Sequence, residues 1–396
     1  MLRVGSDFSG VGAFNQALIR LGVEYKEVFA CDMDKFARET FIHNYGEPEY
    51  YPTNVYDREI PSESLDIYMT SPPCQAFSLA GKRLGKDDKR GILFFNSHEF
   101  IQVNKPRFFI FENVKGLLSD DGGKTFQEWV NMLGGKSVNG VPVLFPYEES
   151  VPYHLYWQVL NAKHHGIPQN RERVFLIGIR DDVDNRFQFP REEHLIKRLK
   201  DVLEDDVDEK YFLSEHTINA IMSSDFLDTK PMDFSREDYR KENISKCIKV
   251  GGDVPCFVVK SATSKGYEEA TEGDSINFSV PNSETRRGRV GKGVAQTLDT
   301  ACNQAVWIQG GLQQNQPKQY NGISPCLTSA MGMGGGQTPI HNYDFKIRRL
   351  TPRECFRLMD FPDMFTWPVS DTQAYKQAGN SIVVNVLYKI LKQLPL

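Results

Sequence analysis

The sequence predicts an α/β fold on a mostly parallel sheet with a smaller, irregular, β-rich region after it, and three observations predict it. Short apolar runs alternate with helical patterns through residues 1–180, the rhythm of strand–helix–strand units. Polar, glycine or proline residues close those runs at Asp7, Asp32, Ser71-Pro72-Pro73 and Glu112-Asn113. Ligands gather at the carboxyl ends of strands in parallel sheets, so four such ends together mark one edge as functional. Beyond position 180 the rhythm degrades, and residues 245–345 become rich in Gly, Ser, Thr, Asn and Gln with short β-like pieces.

Taken in order, residues 2–8 read as a strand, 10–12 as a turn and 13–21 as a helix. A second strand spans 27–32 and a second helix 35–44. A third apolar run at 65–70 stops at Ser71-Pro72-Pro73, and a buried strand at 108–111 stops at Glu112-Asn113. Apolar runs at 153–160 and 174–179 follow. Residues 181–244 are acidic and read as helix-like, including the run 204–210. Gly293-Val-Ala-Gln-Thr-Leu298 is echoed by Gly322-Ile-Ser-Pro-Cys-Leu327, 29 residues on. Two copies are too few for a solenoid and read as paired hairpins or loops. The helical pattern returns from 347. Thr351-Pro352-Arg353-Glu354 has the form of an N-cap, a proline at N1 and a glutamate at N3, and 380–394 reads as an amphipathic helix.

At 396 residues, 40% hydrophobic and 25% charged, the chain has room for two domains with real cores. No run approaches the ~18 apolar residues of a membrane span. The opening MLRVGSDFSGVGAF lacks a signal-peptide layout. Seven cysteines without a C-x-x-C pair disfavour a zinc knuckle and a disulfide scaffold and suit a reducing cytoplasm. The net charge of −5 at first argues against a polyanionic partner. By segment it is −2 over 1–180, −8 over 181–244, +4 over 245–349 and +1 over 350–396. The acidic stretch masks a basic one with the cluster Arg286, Arg287, Arg289 and Lys292, either a solvated loop or a phosphate-contacting one.

Asp7-Phe8-Ser9-Gly10-Val11-Gly12 would let a ligand approach the backbone at a helix N-terminus. Position 15 is Asn15, so only half of G-x-G-x-x-G is present, which favours a nucleoside-type ligand over a dinucleotide. A tight βα turn without a ligand is the plainer alternative. Asp32 stands where an acid would bind ribose hydroxyls, or where one would cap the next helix. Cys74, fixed behind two prolines at a strand end, is the sharpest feature. A thiolate nucleophile needs such placement, although an arbitrary cysteine is more often buried and structural. Glu112 could carry a raised pKa and act as an acid, or cap a helix. Arg171 and Arg173, two apart on an extended piece, would face one way toward a site, or form surface ion pairs.

The ordered set DFSGVG, PPCQ-x-F-S, ENV, Q-x-R-x-R, L-T-P-R-E and Q-x-G-N-S resembles the cytosine-C5 DNA methyltransferases, of the prokaryotic or phage restriction-modification type. The six motifs span nearly the whole chain in the family's order. The resemblance implies a Rossmann-like, S-adenosylmethionine-dependent methyltransferase sheet at 1–180. It implies an irregular β-rich target-recognition domain at 181–346 and a segment at 347–396 that returns to the catalytic domain. It implies that Cys74 adds to cytosine C6, Glu112 holds or protonates N3, Arg173 contacts O2, Arg171 supports the flipped nucleotide and Asn113 braces the Pro-Cys loop. The base must leave the helix for this chemistry. Cofactor contacts would be Asp7, Phe8, Gly10, Gly12, Asp32, Met33, Asn54, Val55, Pro72, Leu93, Asn380 and Ser381. Asn54 departs from the family's usual Asp at the adenine amino contact, but an amide oxygen accepts that bond too. DNA contacts would come from Gln75, Ser78 and Arg90 in the loop after the cysteine, and from Arg286, Arg287 and Arg289. Thr297 and Leu298, or Leu327 and Thr328, resemble the family's Thr-Leu element.

The expected partner is double-stranded DNA, with a separately acting restriction endonuclease, no membrane, no metal and a monomeric state. The product would be S-adenosyl-L-homocysteine. A tRNA-directed relative would carry a Cys-Phe-Thr element, which is absent here. A catalytically silent DNA-binding homologue is opposed by the intact Cys74, Glu112, Arg171 and Arg173. A nicotinamide oxidoreductase is opposed by the incomplete glycine pattern.

Overall fold

Strands buried on both faces need nearly continuous apolar sequence, and the centre of the sheet has it. The computed structural model describes residues 1–73, 92–214, 217–218, 257–281, 283, 285–309 and 345–396. β1 (Leu2–Asp7), β2 (Tyr25–Cys31), β3 (Ile67–Thr70) and β4 (Phe108–Val114) are parallel. β5 (Ser137–Val138), β6 (Val141–Pro142), β7 (Tyr153–Asn161) and β9 (Glu172–Arg180) complete an eight-stranded sheet of order β2-β1-β3-β4-β9-β7-β5-β6, while β8 (Gln169–Asn170) lies outside it. The sheet is mostly parallel, with β9 running antiparallel to both β4 and β7 and β6 antiparallel to β5. The stretch from Asn161 to Glu172 is too short for the crossover a parallel pair requires, so β7 and β9 must pair antiparallel.

The helices follow from their ends. α1 (Ala13–Leu21) starts at Gly12, whose φ of +83° and lack of a Cβ are both required, because a Cβ there would run into the Tyr45 ring. α2 (Lys35–Tyr45) is capped by the Asp34 carboxylate, which accepts from Phe36 N at 2.9 Å. α3 (Ile92–Asn104) and α4 (Lys124–Leu133) bring Phe94 and Trp129 into a stack, ring centroids 4.2 Å apart. They pack with Phe29, Phe100, Phe109 and Phe111 in the main core.

α5 (Pro352–Leu358) carries the expected cap: Thr351 Oγ1 accepts from Glu354 N, and Glu354 Oε2 accepts from Thr351 N at 2.9 Å. α6 (Asp371–Asn380) and α7 (Val384–Leu391) divide the region read as one helix over 380–394, because Ser381 is extended. α7 packs against α1. The acidic run 204–210 is not α-helical; a 3-10 turn at Leu199–Val202 precedes it, and another at Glu209–Tyr211 takes in its last two residues. It offers a helix only Val207 as an apolar residue, and the Asp208 side chain takes the Lys210 N–H at 2.9 Å, a local bond that competes with helix.

The described chain forms two compact units. The first comprises Met1–Asp205, Gly293–Asn303 and Leu350–Leu396; the second comprises Asp206–Lys292 and Gln304–Arg349. In the second, β10 (Phe257–Lys260) and β11 (Tyr267–Ala270) form a hairpin, and β12 (Ser275–Asn277) pairs with β13 (Val290–Gly291). β14 (Ala295–Gln296) belongs to the first unit, where it pairs in parallel with β8. β15 (Gln304–Gln309) and β16 (Phe345–Arg349) complete a four-stranded antiparallel sheet with β12 and β13. Its core gathers Phe257, Val259, Ile276, Ala305, Trp307 and Ile347.

Candidate active site

The carboxyl ends of β1 to β4 share one edge of the sheet, and two clusters of chemistry lie along it. The first surrounds the glycine turn. Phe8 and Gly10 each have φ of +56°. Gly10 N donates to Asp32 Oδ2 and Asp34 N to Asp32 Oδ1, both at 2.8 Å. Each carboxylate oxygen keeps a lone pair. Burial raises the Asp32 pKa against the pull of those two N–H groups. Nothing lies within 4 Å of where a Gly10 Cβ would stand, so the turn leaves an open cradle beside a carboxylate with free acceptor capacity. That donor set fits the ribose of a nucleoside. Met33 follows at 85% exposure, and Val55 is buried. The Asn54 amide oxygen already accepts Tyr56 N at 3.0 Å. Leu93 packs on the main core, Asn380 is exposed and Ser381 is buried.

Asp7 requires a correction. Its side chain is fully buried and turned into the core, where Arg58 Nε lies 2.9 Å from Oδ1 and Tyr68 Oη donates to Oδ2 at 2.6 Å. It does not face the cradle. Arg58 escaped sequence reasoning, since an ion pair across 51 positions leaves no local pattern.

The second cluster holds Glu112 and Arg173. Both lie within the paired strands β4 and β9, not beyond them, and Arg173 Nε is 3.1 Å from Glu112 Oε1. Burial raises the Glu112 pKa, opposed first by Arg173 and then by Arg171. Asn113 Nδ2 donates to the Pro72 carbonyl at 3.1 Å, so the strand carrying Glu112 holds the backbone two residues before Cys74. Cys74, Gln75, Ser78, Arg90, Leu327 and Thr328 lie outside the described residues.

Arg171 also differs from expectation. It is buried, and its guanidinium donates to the carbonyls of Leu298 at 3.2 Å and of Gly379 and Ser381 at 2.8 Å each. Those bonds engage Nη1 and Nη2 and join three segments of the first unit, so Arg171 serves the fold as a clamp. Gln169 assists, donating to Leu358 O at 2.8 Å and accepting from Leu298 N at 3.4 Å. Leu298 is therefore buried, while the exposed Thr297 donates its hydroxyl to Asn170 O at 2.7 Å.

In the basic cluster, Arg287 is exposed and Arg286 half-buried. Arg289 is buried and bonds the carbonyls of Asn277, Ser279, Val280 and Pro281. Its guanidinium closes a turn and cannot reach a phosphate or a base. Among the described residues no group of His, Cys, Asp and Glu could hold a metal ion, and no helix is long and apolar enough to cross a membrane.

A profile described as C-5 cytosine-specific DNA methylase matches residues 2–395. The chain is 31% identical to the orphan methyltransferase M.SPRI of Bacillus phage SPR, over 99% of this chain and 97% of that protein. It is 30% identical to the type II methyltransferase M.HhaI of Haemophilus parahaemolyticus, over 97% and 91% respectively. The crystal structure of the S. pombe Dnmt2 methyltransferase superposes with a TM-score of 0.57 at 18% identity, covering 99% of this chain and 97% of that one. At that identity the superposition speaks for the fold.

Proposed function

The chain belongs to the C-5 cytosine-specific DNA methylases, and from that premise we propose how its own residues carry methyl transfer to cytosine in double-stranded DNA. The observation that carries the reading is the Glu112–Arg173 pair, 3.1 Å apart between β4 and β9, with Asn113 of β4 holding Pro72. Cytosine C5 is a poor nucleophile. The Cys74 thiolate adds to C6, forming an S–C6 bond and pushing the ring electrons toward N3. Glu112 meets N3 as an acid, which burial favours by raising its pKa. Arg173 holds that carboxyl in place and turns its remaining N–H groups to O2. S-adenosylmethionine, when bound, supplies the electrophilic methyl that C5 takes. Loss of the C5 proton to solvent then expels the Cys74 thiolate, and N3 returns its proton to Glu112, which restores the ring.

The glycine turn and Asp32 suit the ribose, and Met33, Val55 and Leu93 suit the purine and its surroundings. Asn380 and Ser381 would close the site. The second unit is read as the sequence-reading part, with Arg286 and Arg287 as phosphate or guanine contacts. A cytoplasmic location, a monomeric state and a separately acting endonuclease belong to the same reading.

Tritiated S-adenosylmethionine with mixed DNA, followed by bisulfite sequencing, tests it. Label at C5 of one sequence context is expected. Label in tRNA and none in DNA would overturn the reading. Trapping on 5-fluorocytosine DNA tests the adduct, since fluorine cannot leave as the proton does, and a Cys74→Ser chain should not be trapped.

A further inference from the structure

Asp7, Arg58 and Tyr68 form a buried charged network that the methyl-transfer scheme does not use. Asp7 is the last residue of β1, paired in register with Cys31 and Thr70, and Phe8 turns into the left-handed region right after it. The side chains of Arg58 and Asp7 are 2% and 0% exposed. Arg58 lies 4.6 Å from the Phe100 ring centroid, and Phe100 stacks on Tyr68 at 4.1 Å. The guanidinium also donates to Asn96 O at 3.4 Å.

Arg58 directly follows a turn over residues 54–57, in which Asp57 N donates to Asn54 O at 3.3 Å. Upstream of that turn the chain is tied to the end of β2: Ala30 N donates to Tyr50 O at 3.2 Å and Asp32 N to Pro52 O at 3.3 Å. Downstream, Arg58 anchors it on Asp7, Glu59 N donates to Tyr50 Oη at 2.9 Å, and Asn104 Nδ2 donates to Pro61 O at 2.9 Å; of these only Arg58 reaches the strand that enters the glycine turn. The stretch with Asn54 and Val55 is thus strung between the strand that carries Asp32 and the strand that enters the glycine turn. A buried ion pair is weak support for stability, because desolvation offsets the attraction. What it supplies is placement: one carboxylate meets the Arg58 guanidinium at one oxygen and the Tyr68 hydroxyl at the other. An apolar contact would fill the same space without fixing the turn.

We propose that Asp7, Arg58 and Tyr68 are positioning residues for cofactor binding, holding the Asn54–Val55 backbone in register with the glycine turn so that the purine of S-adenosylmethionine meets a preformed wall. The inference rests on the reading of Gly10 and Asp32 as the ribose site.

Calorimetric titration with S-adenosyl-L-homocysteine and with 5′-methylthioadenosine separates the two ideas. Three variants are needed: Asp32→Ala, Tyr68→Phe and the apolar triple Asp7→Leu/Arg58→Met/Tyr68→Phe. The triple should melt at or above the parent temperature yet bind both ligands at least about tenfold more weakly, since the loss falls on the part they share. Tyr68→Phe should show about a threefold loss. The KM for S-adenosylmethionine should rise in proportion, with little change in kcat. Parental affinity in a folded triple overturns the inference, as does a loss confined to kcat. If the triple does not fold, parental affinity in Tyr68→Phe overturns it. If Asp32→Ala binds both ligands normally, the ribose-site reading fails instead.

Discussion

Two carboxylates, one buried and one half-buried, show how much environment decides a residue's role. Glu112 is buried beside two arginines, and its pKa still rises. Glu112→Gln should lower kcat by about 10²- to 10⁴-fold, the usual worth of a general acid, while the chain keeps its fold by circular dichroism. If the acid form is the reacting one, kcat should fall as pH rises through the raised pKa. Glu27, next to Tyr25 and Tyr45, has its pKa pushed to about 7 by burial, with Asn15 Nδ2 donating to it at 3.1 Å. An acid whose folded pKa is raised binds more protons folded than unfolded. Its stabilising share is therefore full below the unfolded value and is lost as pH rises to about 7. Urea melts from pH 4 to 8 should show a decline of up to about 3 kcal/mol from this group. Glu27→Gln should flatten that decline and stand above the parent at pH 8. A variant with the parent's slope would show that the slope has another source.

At the scale of elements, the two arginines of Q-x-R-x-R part company. Their spacing of two suggests that they face one way toward a site, yet one ties segments together and the other meets Glu112. Arg171→Met leaves three carbonyls without their donor, and each unmet buried group costs about 1–3 kcal/mol. It should unfold at much lower urea than the parent. Arg173→Met should melt close to the parent and lose most of its kcat. The converse pattern would exchange the two roles. Thr351→Ala removes a capping box and should cost about 1 kcal/mol by the same melts. The Thr351 box was legible in the sequence because its whole logic lies within four residues. So was the placement of Asp32 just past β2 and of Glu112 near the carboxyl end of β4. The buried fates of Asp7 and Arg289, and the break at Ser381, were not. Each depends on partners distant in sequence or on backbone carbonyls, which no side-chain pattern announces.

At the scale of the molecule, composition located the β-rich region after position 180 but not its edges. Residues 293–303 share the polar character of their neighbours, yet pairing of β14 with β8 assigns them to the first unit. A chimera exchanging 206–292 and 304–349 with a relative, while keeping the recipient's own 293–303, should carry sequence choice with it, as read by bisulfite mapping. An exchange of the whole of 181–346 should also move specificity but lower the yield of folded protein, because a foreign strand must then meet Gln169 and Arg171. Retention of the recipient's site in both would remove the second unit from sequence reading.

The packing of α7 on α1 has a consequence for how the protein comes to exist. A chain emerging from the ribosome delivers the glycine turn well before the helix that packs on α1. Until α7 is made, α1 lacks that partner, and apolar surface left open in this way during synthesis invites aggregation.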